Sequence, residues 1–208
     1  MTSMLGPLKY RLSFVAGGLL AREAVPVAST YLEVGDWKQT RDVVREHNLI
    51  QQRTEASTVR ISREVVQRLS MLDRDEVELI ADGTAHERQM MMWSATCRRY
   101  QLIDEFAREV LRERYLLMTP TLTHDDYDSF IRSKALWHEE LNELTPLTYK
   151  KLRAELFRML READLLSETG HIVDAELSGR LGRLLGRHGK AAFEIYPMTD
   201  VEIEQVMA

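Results

Sequence analysis

Six histidines, one cysteine and thirty-three acidic residues are the groups with which this chain could do chemistry. His86 is followed by Glu87, but by no second histidine at the spacing a zinc-peptidase helix needs. His124 precedes Asp125 and Asp126, and His138 precedes Glu139 and Glu140. Both pairs offer cation ligands, yet both fall at expected helix starts, where the dipole favours acids anyway. No ligand set has recognisable metal spacing, so no metal or cofactor is expected. Cys97 stands beside Arg98 and Arg99, cations that would lower a thiol pKa; a lone helical cysteine is more ordinarily a small core residue. There is no G-x-S-x-G elbow and no P-loop, and Gly17-Gly18 is not a dinucleotide fingerprint. No catalytic residue is nominated, and the chain is expected not to be an enzyme.

The stretch with the clearest chemical character is KKLRAELFRMLREADLLSETGHIV, from Lys150 to Val173. At helical spacing Leu152, Leu156, Met159, Leu160 and Ala163 gather on one side, with Tyr149 nearby. Lys150, Lys151, Arg158 and Arg161 project from the other, and Arg153 lies on the flank. Ser167 to Gly170 reads as a turn, after which His171–Val173 can pair back on Asp164–Leu166 as a minimal hairpin. A short helix, a cationic helix and a hairpin in that order match a winged helix-turn-helix, whose second helix enters the major groove. Cationic helix faces are also commonly just solvated. Asp164 stands where such recognition helices often place Gly for a left-handed cap.

Helical period governs the remainder. Leu19–Val34 reads as a helix with Pro26 as a kink or early break. Asp36 caps Trp37–His47, and a turn at Asn48 leads to a helix over Thr54–Leu72. Arg53, Arg60 and Arg63, with Thr58, give this second helix-turn-helix-like pair its own phosphate-contact candidates; a packed helical hairpin is the plainer reading. Asp73 caps a short helix that Gly83 ends. His86–Met118 is the longest signal, a spine bent or broken once. Thr119-Pro120-Thr121 marks a domain boundary, giving an N-terminal helical domain over 1–118 and a winged-helix-like domain over 119–208. Within the latter, Thr123 caps an acidic helix start, a short helix spans about Glu139–Leu144, and Thr148 opens the cationic helix. LSGRLGRLLGRHGK adds Arg180, Arg183, Arg187 and Lys190, and AAFEIYP looks strand-like before an acidic tail.

Composition bounds the reading. The 208 residues are 44% hydrophobic and 29% charged, with net charge -5. A globular chain of one or two cores fits these values. The acidic balance removes whole-chain attraction to nucleic acid and leaves only a local basic face to provide it. No apolar run can span a bilayer. The opening MTSMLGPLKYRLSFVAGGLLARE reads as folded structure, not an export signal, so a cytoplasmic location is expected.

With these residues on the page, the chain resembles the BrxA family of BREX bacteriophage-exclusion systems. The resemblance rests on YRLSFVAGGLL, YLEVGDW, NLIQQRT, CRRYQLIDEFAREVL and LTPLTYKKLRAELFRMLREADLL. It implies a mostly helical cytoplasmic protein working beside a methyltransferase, an ATPase and other defence proteins, with no catalytic role of its own and with DNA binding as its expected part. It supplies no motif that singles out contact residues.

The expectation is therefore an all-α, multi-helix protein with a C-terminal winged-helix-like module and a small β-hairpin wing. It is expected to bind double-stranded DNA through Lys150, Lys151, Arg153, Arg158, Arg161 and Thr148, with Arg53, Arg60 and Arg63 as a secondary set. Other BREX proteins are expected partners and membranes are not; self-association into a homo-oligomer stays open, as does base preference. A scaffold within the defence complex and an RNA-binding protein are the alternatives.

Overall fold

We describe the chain from a computed structural model over residues 9–15 and 17–207. The reading of the opening segment as folded structure falls partly on residues 1–8 and Ala16, which lie outside the described residues. Among the described residues the fold is a multi-helix assembly with almost no strand, and no helix is long and apolar enough to cross a membrane.

α1 (Ala21–Val34) packs on α2 (Trp37–Glu46), α3 (Glu55–Leu69) and α4 (Arg74–Asp82). It runs through Pro26 without a break, because the fully buried Ala24, Val27 and Ala28 hold both halves of the helix in the core. The YLEVGDW segment turns at Gly35 (φ 77°), which lets Tyr31 stack on Trp37 with ring centroids 3.6 Å apart. Asp36 then caps α2 by accepting from the Gln39 amide. In NLIQQRT, Asn48 takes φ 45° just past α2. Its side chain bonds both the N–H and the C=O of Gln52 and accepts from Thr58 Oγ1. A single asparagine thus ties the end of α2 through the turn to the first helical turn of α3.

α5 (Ala85–Arg99) is the centre. Every residue from Met90 to Cys97 is buried, as expected of a helix surrounded by protein on all sides. The expected spine breaks at Tyr100, whose ring is buried and whose hydroxyl donates to Glu64. It resumes as α6 (Gln101–Phe106), loosens into a π-helical stretch over Ala107–Arg112, and ends as α7 (Glu113–Leu116). Arg108 and Arg112 leave this stretch to bind Ala191 O, Glu194, Met198 O and Asp200, pinning the C-terminal segment to the spine.

α8 (His124–Lys134), α9 (Glu139–Asn142) and α10 (Pro146–Glu162) follow. The start of α10 differs from expectation: Thr145, not Thr148, is the cap, and Pro146 occupies the first turn. Proline tolerates that position because the amide there has no helical partner. Beyond α10, the expected hairpin is reduced to isolated antiparallel bridges, Leu166↔Ile172 and Thr121↔His171. Ile172 N–H goes to Pro120 O and Val173 N–H to Leu165 O, so this short segment is paired on both sides. The chain continues as α11 (Gly179–Gly186), a 3₁₀ turn over Lys190–Ala192, and α12 (Asp200–Met207). AAFEIYP is not a strand. Phe193, Ile195 and Tyr196 are buried, and Trp93 Nε1 donates to Ile195 O where a strand would have placed a neighbour's amide. Buried residues on both sides of Thr119 belong to one continuous core cluster.

Candidate nucleic-acid interface

α10 takes its place from three contacts. Leu152, Leu156, Phe157, Met159 and Leu160 bury its underside. Its C-terminus closes with Asp164 N–H on Arg161 O and Leu165 N–H on Leu160 O, the paired bonds of a Schellman turn. Asp164 supplies the left-handed residue, at φ 55°. The glycine missing from the sequence is thus replaced by an aspartate in the same conformation. The third contact is with the chain's beginning. Glu155 accepts the Gly18 N–H at 2.9 Å and Glu162 the Leu19 N–H at 2.5 Å. From the other side, the fully buried Arg68 of α3 donates to Gly18 O and Leu19 O. The turn before α1 is thereby clamped between α3 and α10. A Cβ at Gly18 would collide with the Glu162 carboxylate, and its φ of 61° favours glycine as well.

This clamp divides the expected contact residues. Lys150 and Lys151 are exposed on the first turns of α10, and no acidic partner is found for either among the described residues. Arg158 instead bonds Glu162 at 2.7 Å, beside the Gly18 turn. Arg153 turns to α8, where one guanidinium nitrogen meets both Asp128 oxygens at 2.9 and 3.0 Å, and Tyr149 donates to the same carboxylate. Burial opposes ionisation of Asp128, but these hydrogen bonds and the Arg153 charge hold it below the usual carboxylate range. The same carboxylate, with burial first, pushes the Tyr149 phenol up to about 12. Arg161 lies 3.7 Å from the exposed Glu168 in the turn that follows. Thr148 faces back to its own cap, its hydroxyl 2.9 Å from that of Thr145. Arg53, Arg60 and Arg63 are exposed along the α2–α3 pair, again with no acidic partner among the described residues. No direct bond joins them to Lys150 and Lys151 among the described residues; their helices meet through the Gly17–Leu20 turn and through α5, on which both pack.

The basic stretch around α11 is consumed by neighbours. Arg180 pairs with Asp82 at 2.7 Å, Arg187 with Asp75 at 2.5 Å and Lys190 with Asp200 at 3.0 Å. Arg183 stays exposed with no such partner among the described residues.

Three of the histidines and the cysteine also resolve into structure. His138 is buried, stacks on Tyr10 at 3.8 Å and meets Glu140 at 3.1 Å. His124 packs edge-on against Phe157. His86 sits 2.8 Å from Glu176 O. Cys97 is buried, and burial pushes its thiol well up despite the neighbouring arginines. One cluster with ligand-like spacing, Asp73, Glu76 and His188, is invisible in the sequence because its members lie on different elements. Both Glu76 oxygens are already held by Arg98 at 2.7 Å, which makes the cluster a structural ion pair.

Three relatives and one solved structure are similar to this chain. Proteins named BREX protein BrxA from Escherichia coli and Bacillus cereus are 24% and 25% identical to it. The first alignment covers 72% of this chain and 70% of the relative; the second covers 62% and 64%. A third BREX protein BrxA, from Paramagnetospirillum magneticum, is 21% identical over 83% of this chain and 88% of its own. A crystal structure described as an uncharacterized protein from Magnetospirillum magneticum superposes with a TM-score of 0.76 at 19% identity, over 92% of this chain and 100% of that one. That last likeness speaks to the fold. The sequence model of the BrxA family matches residues 8–189, and on that match this chain belongs to the BrxA family.

Proposed function

We propose that this protein is a non-enzymatic component of a BREX phage-defence system that binds double-stranded DNA through phosphates. We read α8 to α10 and the bridged segment after them as a winged-helix-like unit, with α10 presented to the duplex. The observation that carries the reading is the adjacent pair Lys150–Lys151, exposed at the start of a 17-residue helix and without an ion-pair partner among the described residues. Cations already paired to carboxylates release fewer counterions on meeting phosphate than free ones do. Lys150 and Lys151 are therefore the principal contacts, with Arg53, Arg60 and Arg63 next. Arg153, Arg158 and Arg161 chiefly hold α10 in place. Membership of the BrxA family supports the BREX assignment and work alongside other BREX proteins.

The test is a fluorescence-anisotropy titration of a labelled duplex across a salt series, with Lys150→Ala/Lys151→Ala beside the wild type. Each phosphate contact adds roughly 0.9 to the slope of log K against log salt. The double variant should lower that slope by about 2 and weaken binding at low salt. Arg158→Gln should leave the slope unchanged. Absence of binding at low salt by folded protein, or an unaltered slope in the lysine variant, refutes the reading. A structured RNA that outcompetes the duplex transfers the site to RNA, whose A-form major groove does not admit a helix in the same way.

A further inference from the structure

Behind the bridged segment lies a groove of about 790 Å³, its apolar lining supplied by Tyr115, Leu116, Met118, Ile172 and Val173. Its rim carries Asp174 and Glu176, and His171 is the one basic side chain of the lining. Neither acid has a cationic partner among the described residues. Burial, together with the Asp174 and Glu202 charges, raises the Tyr115 phenol. The groove is therefore apolar within and anionic at its edge, which repels a phosphate backbone.

Met118 is the odd residue. It ends α7 in a Schellman turn, Met118 N–H on Tyr115 O and Thr119 N–H on Arg114 O, with φ 54°. A left-handed backbone disfavours methionine, and glycine avoids the penalty. The side chain returns nothing to the core, since it is 88% exposed. Neither backbone nor packing accounts for a methionine here, whereas contact with another molecule does.

We propose that this groove receives an amphipathic helix of another protein, its apolar side chains set on Met118, Leu116 and Val173 and its lysines or arginines meeting Asp174 and Glu176. A helix fits better than an added strand. Ile172 and Val173 already donate their amides to Pro120 and Leu165, so no backbone edge is left for strand pairing there. The unpaired acids select a basic partner over an acidic one. The groove lining includes neither Lys150 nor Lys151, and a peptide titration without duplex tests it apart from the DNA reading.

The probe is a capped leucine–lysine peptide of about four helical turns, compared with a leucine–glutamate peptide of the same pattern. The protein carries ¹³C-methyl methionine, and methyl spectra of the full chain are recorded during titration. Met118 should move first and furthest among the ten methionines. The lysine peptide should bind at least about tenfold more tightly than the glutamate peptide. Met118→Gly, which relieves the backbone penalty and so keeps the fold, should weaken the lysine peptide by about fivefold or more. Asp174→Lys/Glu176→Lys should invert the charge preference. Thermal melting of the variants provides the fold control. Equal binding by wild type and Met118→Gly, or a response centred on other methionines, overturns the proposal. So does a Met118 shift that follows protein concentration alone and vanishes with a dimer in Met118→Gly, because a second copy is then the occupant.

Discussion

The Glu76–Arg98 pair lets the price of the core's electrostatics be measured. Glu76 is wholly buried at the start of α4. Its oxygens receive two bonds from Arg98 at 2.7 Å, one from the Asp73 amide at 2.9 Å, and lie 3.1 Å from His188 Nε2. In Glu76→Ala all of these are lost together. Removing one member of a buried pair costs about 3–5 kcal/mol. Arg98 retains 21% side-chain exposure, so water recovers part of that, and the lower bound applies. Loss of the capping box adds about 1 kcal/mol. The expected total is about 4 kcal/mol, or a fall in Tm of roughly 8–16 °C for a chain of this size. Urea unfolding gives the free energy, and a double-mutant cycle with Arg98→Met isolates the pair. The double variant should be at least about 1 kcal/mol more stable than the sum of the singles. A cost under about 1 kcal/mol for Glu76→Ala, or additive singles, would refute the reasoning. The cluster's value would then lie elsewhere, and cation binding would return as its explanation.

Two further outcomes follow from the same network of burial and pairing. Asp128 is held below its ordinary range, against the pull of burial, by Tyr149 and Arg153. A carboxyl depressed in the folded state stabilises above its unfolded pKa of about 3.9 and loses that stabilisation as pH falls through the folded value. Urea midpoints of the wild type should therefore drop more steeply below about pH 4 than those of Asp128→Asn; parallel curves would contradict the assignment. Cys97 is buried, with its thiol pushed up, so an aromatic disulfide reagent should modify it only as fast as the core opens. Stoichiometric labelling within seconds under native conditions would show that α5 is far less well packed than described.

Much of the architecture was legible because its causes are local. The caps at Asp36, Asp73 and Thr123 are legible in the sequence, since a cap is a side chain bonding an amide a few residues ahead. The apolar stripe of α10 was legible for the same reason, as period alone defines a face. The start of α10 is ambiguous in the sequence because Thr145 and Thr148 are both good caps, and Pro146 chooses between them by fitting the first turn. AAFEIYP looks strand-like but is not one, because burial without a strand partner produces the same apolar composition as a strand. The π-helical stretch over Ala107–Arg112 left no sequence mark.

The candidate site shows where local reading ends. Residue type and helical period placed Lys150, Lys151, Arg153, Arg158 and Arg161 on the outside of one helix, and nothing local distinguishes them. Their neighbours in space do. Arg153 finds Asp128 across α8, and Arg158 joins the carboxylates that grip Gly18 and Leu19, more than a hundred residues earlier in the chain. Arg180 and Arg187 meet acids of α4 in the same way. The acid-rimmed groove is likewise assembled from the end of α7 and the segment after α10. Period and capping are properties of neighbours along the chain, so they survive in the bare sequence; whether a charge is free depends on what packing brings within about 4 Å of it, and only the folded chain decides that.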